Sequence, residues 1–213
     1  GVCGRVGSLG LTEVGAAMTA HELTHALIAG GGLPPGAGIS LARLRRQERG
    51  DRWALPPQPN LMFMRDPCVT IGDRILMGRM ATTARGREPQ LVAFALQHSG
   101  VCTAAPLLFD GPARGSERIE AADVLVVDRS FLLVGCSERT AAATIERVAR
   151  EAIFEAFDHE RVYVVLMHEE RSVMHLDTIL TQIDRQLFLG HAPYITPSPQ
   201  ALRIAKLERG NPA

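Results

Sequence analysis

His175 and Asp177 stand two residues apart in SVMHLDTILTQIDRQLFLG, residues 172–190. In an extended strand residues i and i+2 face the same way. That spacing would offer an imidazole base and a carboxylate side by side. The arrangement of an acid, an apolar run, a polar turn and a second apolar run occurs twice more. Asp66 opens DPCVTIGDRILMG and Asp123 opens DVLVVDRSFLLVG. Each stretch has an Asp-Arg turn (Asp73-Arg74, Asp128-Arg129, Asp184-Arg185) and closes on Gly78, Gly135 or Gly190. The leading acids recur after 57 residues (66 to 123) and 54 residues (123 to 177). Self-similarity at a near-constant period signals one supersecondary unit used repeatedly. Each unit reads as a hairpin with its acid at the start of the first strand. Units set around an axis bring equivalent strand ends together, as in propellers. Asp66, Asp123 and Asp177 are therefore expected to converge, accompanied by Arg65, Glu120 and His175.

A second candidate is His21-Glu22-Leu23-Thr24-His25, which matches H-E-x-x-H. On a helix the two His share a face and can hold zinc, with the Glu as general base. Such a site needs a third protein ligand, and no later His or acid stands at a recognisable spacing. The motif therefore reads as helix surface, with a zinc peptidase as the least favoured alternative and no metal expected.

The elements that must position these groups follow from the patterning. Thr19 can cap a helix with Glu22 three residues on, a capping-box arrangement. Leu23, Leu27 and Ile28 give that helix an apolar stripe, and Gly30-Gly31-Gly32 ends it. A second, basic helix is expected over Ile39 to Arg49. Leu55-Pro56-Pro57-Gln58-Pro59 is a stiff linker, because proline restricts itself and its predecessor. It divides a helical subdomain (1–58) from a repeated α/β domain (59–213). Within the latter, 90–97 and 141–157 are expected to be helical. Val101 to Leu108 and Val162 to Met167 are expected strands, and a short helix should follow the prolines of the tail.

Bulk properties bound the function. The chain is 46% hydrophobic and 22% charged, as ordinary globular proteins are. Its 23 basic and 23 acidic residues cancel, which argues against nucleic acid as a partner. Only Lys206 among the cations is lysine. No run approaches the roughly 18 apolar residues of a membrane span, so no membrane partner is expected. Cys3, Cys68, Cys102 and Cys136 show no CxxC spacing and read as reduced thiols of a cytoplasmic protein.

Three blocks together resemble the arginine deiminase family: PNLMFMRDPCVTIGDRILMGRMATTARGRE at 59–88, IEAADVLVVDRSFLLVGCSERT at 119–140 and MHLDTILTQID at 174–184. The stretch MTAHELTHALIAG at 18–30 is similar to part of that family's helical insertion. The resemblance implies a pentein, an α/β propeller of repeated ββαβ units around a pseudo-fivefold axis, incomplete here. It also implies hydrolysis of L-arginine to L-citrulline and ammonia, without a cofactor. Carried over by motif, Asp66 and Asp177 would grip the guanidinium, whose planar, permanent charge suits paired carboxylates. His175 would be the general acid/base, and Glu120 would hold its imidazole. Asn60, Arg85 and Arg139 match positions that recognise the α-carboxylate and α-amino end. Read without the resemblance, Arg85 and Arg139 are surface cations and Asp66 caps a turn before Pro67.

The chain departs from the family pattern in two places. Ala121-Ala122 stand where the family has Gly-Gly, which restricts the backbone beside Glu120. The family's nucleophilic Cys lies in a last unit that these 213 residues are expected to lack. Cys68, close to Asp66, is read as structural. The expectation is a truncated domain that binds arginine without turnover, or a degenerate, non-catalytic one. Uncovered strand edges would favour poor solubility or self-association into a homo-oligomer.

Overall fold

The computed structural model describes residues 18–32, 53–100, 105–109 and 115–210. The chain divides into two units, Gly1–Phe63 and Met64–Ala213.

In the first unit, helix α1 (Ala20–Ala29) starts at Thr19 with the expected capping box. Thr19 Oγ1 accepts the Glu22 N–H at 3.3 Å, and the Glu22 carboxylate accepts the Thr19 N–H at 2.9 Å. Gly30 ends the helix at φ 92°, a conformation that suits glycine. Strand β1 (Gly31–Gly32) then pairs antiparallel with β2 (Trp53–Leu55). The Gln58 N–H returns to the Ile28 carbonyl at 2.7 Å. Asn60 lies in a 3-10 turn, Pro59–Met62. The basic helix expected over 39–49 lies outside the described residues.

The second unit contains the repeat. Strands β3 (Cys68–Ile71) and β4 (Arg74–Met77) form the first hairpin, α2 (Glu88–His98) follows, and β5 (Leu107–Leu108) pairs parallel with β4. Residues 101–104 of the strand expected there lie outside the described residues. Strands β6 (Val124–Val126) and β7 (Phe131–Cys136) form the second hairpin. Helix α3 (Ala142–Val148) runs through a π-helical segment (Ala149–Ile153) into a last turn, Phe154–Ala156. Strand β8 (Arg161–Leu166) then pairs parallel with β7. The same ββαβ order thus occurs twice. The third hairpin joins β9 (Leu180–Asp184) and β10 (Leu187–Gly190) in a sheet of two strands.

Alternation along the strands buries both faces of the four-stranded sheet β11-β8-β7-β6. Leu132, Val134, Val162 and Val164 join Ile145, Val148 and Ile153 of the long helix in the main core. Val165 instead packs with Val173, Leu176 and Ile179, against which Leu125 and Leu133 also lie. Each fully buried aliphatic side chain contributes roughly 1.5–3 kcal/mol relative to exposure. The second cluster anchors the turn that carries His175 and Asp177.

Four expectations are corrected. The tail forms strand β11 (Arg203–Glu208) instead of a helix, because β8 offers it a full antiparallel register from Leu166 to Arg161. The leading acids precede their strands instead of opening them. Asp123 and Asp177 sit in the 3-10 turns Ala121–Asp123 and Leu176–Thr178, and Asp66 lies two residues before β3. His175 caps its turn and Asp177 lies within it, so they do not share a strand face. Finally, Arg74 opens β4, leaving Gly72 (φ 58°) and Asp73 to make the first hairpin's turn.

The first two closing glycines have a common cause, and the third does not share it. A Cβ at Gly78 would lie 2.8 Å from the Asp66 carbonyl oxygen. At Gly135 it would strike Asp123 Oδ1 and lie 3.0 Å from Leu176 Cβ. At Gly190 it would strike Ile195 Cδ1. In the first two hairpins the second strand ends against the turn that holds the leading acid. Gly135→Ala is expected to destabilise the chain by about 1–3 kcal/mol, the usual cost of overpacking, read by urea unfolding. A midpoint equal to wild type would contradict this crowding.

Candidate active site

Three turns meet where the hairpins begin, tied by one hydrogen bond between backbones and one from backbone to carboxylate. The Ala121 N–H donates to the Asp66 carbonyl at 2.8 Å. The Leu176 N–H donates to Asp123 Oδ1 at 2.8 Å. The convergence expected from the repeat is present, but its three acids do different work.

Glu120 is fully buried at the head of the second turn. Its Oε2 lies 2.7 Å from His175 Nε2, and its Oε1 accepts the Ala81 N–H at 2.9 Å. Arg139 Nη1 is 3.9 Å from the same Oε1. Burial pushes the Glu120 carboxyl up, but His175, the Ala81 N–H and the Arg139 charge together hold it below its ordinary value. Burial likewise opposes a charged His175, yet its bond to Glu120 and the Asp123, Glu120 and Asp66 carboxylates raise it above the ordinary imidazole value. The pair therefore favours imidazolium against carboxylate. His175 is itself 6% exposed, so the charged couple is shielded from bulk water.

Asp66 and Asp177 both hold guanidinium groups of the chain itself. Asp66 Oδ2 is 2.5 Å from Arg85 Nη1, and Arg85 also donates to Glu88 at 2.7–3.0 Å. Burial would lower Arg85, and the two carboxylates more than offset it. Asp177 Oδ2 lies 3.6 Å from Arg65 Nε, with 30% of its side chain exposed. Its carboxyl is raised, first by burial and also by Asp66, against His175 and Arg65. Arg85 (7% exposed) and Arg139 (8%) are buried, so neither is the ordinary surface cation that their position in the sequence allowed. Asn60 belongs to the first unit.

Asp123 was legible in the repeat as a convergent acid, though not as a support. It is fully buried, and burial pushes its carboxyl up to about 6 against bonds from Ser137, Thr140 and Leu176. Thr140 Oγ1 also accepts the Glu120 N–H at 3.1 Å. Nothing in the sequence singled out Ser137, Thr140 or the Ala81 amide. Ala121 and Ala122, each 2% exposed, fit the buried turn beside Glu120.

Cys68 and Cys136 are free of disulfides and partly buried. Burial and the nearby Asp123 and Glu169 push the Cys136 thiol up, away from a reactive thiolate. In α1, His21 and His25 are exposed, and Glu22 is engaged as a cap. No group of three or more His, Cys, Asp or Glu suited to a metal occurs among the described residues. Among them, no helix is long and apolar enough to cross a membrane.

Known proteins resemble this chain over most of its length. The arginine deiminase family matches residues 17–212. The arginine deiminase of Listeria monocytogenes serotype 4b is 36% identical over 157 residues, 73% of this chain and 38% of the relative. That of Streptococcus equi subsp. zooepidemicus is 32% identical over 169 residues, 75% of this chain and 40% of the relative. The chain thus spans about two fifths of these relatives' length. A dimethylarginine dimethylaminohydrolase from Pseudomonas aeruginosa, solved with citrulline, superposes with a TM-score of 0.52 at 18% identity. That match covers 83% of this chain and 69% of the other, and it identifies the α/β pentein fold.

The Glu120–His175 pair sets a pH signature. A raised His175 adds stability that is complete below its ordinary value of 6.5 and lost as pH rises through the folded value. A lowered Glu120 adds stability above its ordinary 4.5 that is lost as pH falls through the folded value. The stability advantage of wild type over Glu120→Gln is therefore expected to peak between those values and shrink on both sides. Urea unfolding at about pH 3, 5.5 and 9 reads it. A difference independent of pH would contradict the pairing.

Proposed function

The chain belongs to the arginine deiminase family, and we propose on that premise that it forms the guanidinium-binding and proton-transfer part of a site that hydrolyses L-arginine to L-citrulline and ammonia. The observation that supports this most directly is the placing of Asp66 and Asp177 around the buried His175–Glu120 couple. Both carboxylates already engage guanidinium groups, those of Arg85 and Arg65. Substrate arginine would compete for the same chemistry, as a planar cation matched by carboxylate oxygens.

The reaction has four parts. A thiolate attacks the guanidinium carbon while Asp66 and Asp177 hold the flanking nitrogens. The bond from carbon to one terminal nitrogen breaks, and His175, protonated through its contact with Glu120, delivers the proton that lets ammonia leave. The same imidazole then takes a proton from water as it attacks the thiouronium carbon. Collapse releases citrulline and restores the thiolate, which is covalent catalysis split into two easier steps. Arg139, beside Glu120, and Arg85, beside Asp66, would meet the α-carboxylate end once substrate displaces their present contacts. The resemblance puts the attacking Cys in a segment beyond the MHLDT motif. Burial and the nearby carboxylates hold Cys136 as a thiol, so it does not serve as that nucleophile.

Assayed with L-arginine, the protein is expected to release citrulline and ammonia in equal amounts. His175→Ala should lower kcat by roughly 10²–10⁴, the usual worth of a positioned general acid/base. Turnover of methylated arginine alone, transfer of the amidino group to an amine, or full activity in His175→Ala would overturn the assignment.

A further inference from the structure

We propose that Asp123 is a positioning residue, a buried fork that locks the turn carrying His175 onto the turn carrying Glu120 and the loop carrying Arg139. The inference rests on the site proposed above and extends it to a side chain that the reaction does not touch.

Asp123 is fully buried, so it has no access to substrate. Its two oxygens serve two different segments. Oδ1 accepts the N–H of Leu176, the peptide directly after His175, at 2.8 Å. Oδ2 accepts the Ser137 hydroxyl at 2.6 Å, and Ser137 Oγ in turn accepts the Arg139 N–H at 3.0 Å. The Asp123 N–H closes its own turn on the Glu120 carbonyl at 3.0 Å. One carboxylate therefore sets the relative positions of Glu120, Arg139 and His175. A 2.7 Å contact such as Glu120–His175 depends on that registry, because hydrogen-bond strength falls steeply with misplacement.

The surroundings are shaped for this group. Gly135 sits where any Cβ would strike Oδ1. Both oxygens accept from fixed donors, an arrangement that suits the ionised form. Burial still raises the group to about 6, so its charge depends on those donors. The Asp123 charge also reaches His175, which faces Glu120 and Asp66 as well, while Asp177 lies near the same imidazole. The cations nearby are otherwise engaged: Arg139 lies beside Glu120, Arg65 beside Asp177 and Arg85 on Asp66.

The test uses the 213-residue chain, labelled for NMR, with Asp123→Asn and Ser137→Ala. The amide of Asp123→Asn keeps the shape and removes the charge. The His175 titration midpoint is expected to fall in Asp123→Asn, and Leu176 amide exchange to quicken roughly tenfold or more, as loss of a charge-assisted bond implies. Amides in β7 and β8 should keep their exchange rates. Ser137→Ala, which leaves Asp123 in place, should quicken exchange at Arg139 by about the same factor. It carries the test if Asp123→Asn does not fold. Unchanged exchange at Arg139 in Ser137→Ala, or a wild-type His175 midpoint with wild-type Leu176 exchange in a folded Asp123→Asn, overturns the proposal. No readout involves substrate, so arginine binding can fail while this role holds, and the converse.

Discussion

Two ionisable side chains buried against each other impose the strictest demand on this structure. Taking a carboxylate and an imidazolium out of water costs several kcal/mol for each ion unless their mutual geometry and further hydrogen bonds offset it. Glu120 and His175 meet that demand at 2.7 Å, with the Ala81 amide and Arg139 supplying what the pair alone does not. These partners come from different parts of the chain, so satisfying one buried pair requires the hairpins to be in register with one another. The turns are consequently tied backbone to backbone and backbone to carboxylate.

The repeat supplies that registry cheaply. Each hairpin delivers an acid just before its first strand. In the first two, a glycine beside the last residue of the second strand (Gly78 after Met77, Gly135 before Cys136) leaves room for the acid's turn. The long helix and the alternating valines and leucines of β7 and β8 then bury one sheet face, and the His175 turn buries the other. A slip of one residue would exchange the two faces. It would pull Leu176, and with it His175, away from Asp123.

The electrostatics explain why three equivalent acids end up unequal. Asp66 is neutralised by Arg85, Asp177 keeps partial exposure beside Arg65, and Asp123 is sealed in with only neutral donors. Burial raises the carboxyls of Asp123 and Asp177, but the groups opposing it differ: hydroxyl and amide donors and the His175 charge at Asp123, and the His175 and Arg65 charges at Asp177. One carboxylate buried against Arg85 and one partly exposed beside Arg65 thus flank the His175–Glu120 couple. The third carboxylate is left to hold the frame.

The repeat of acid, hairpin and glycine, the capping box at Thr19 and the apolar run of β8 were legible in the sequence because they depend on local spacing and patterning. So was the family, since PNLMFMRDP and MHLDT are contiguous. Other features depended on pairing partners far along the chain. The tail became β11 because β8 had a free edge, which overrides the local preference of RIAKLE. His175 and Asp177 left the expected strand face because the 3-10 turn is fixed from outside, by Asp123 and by the packing of Leu176. Ser137 and Thr140 carry no signal of their own and matter only where folding places them. Local residue types therefore determined which chemical groups were available. Only the tertiary structure decided which of them share a proton, because burial and distance between remote segments set that.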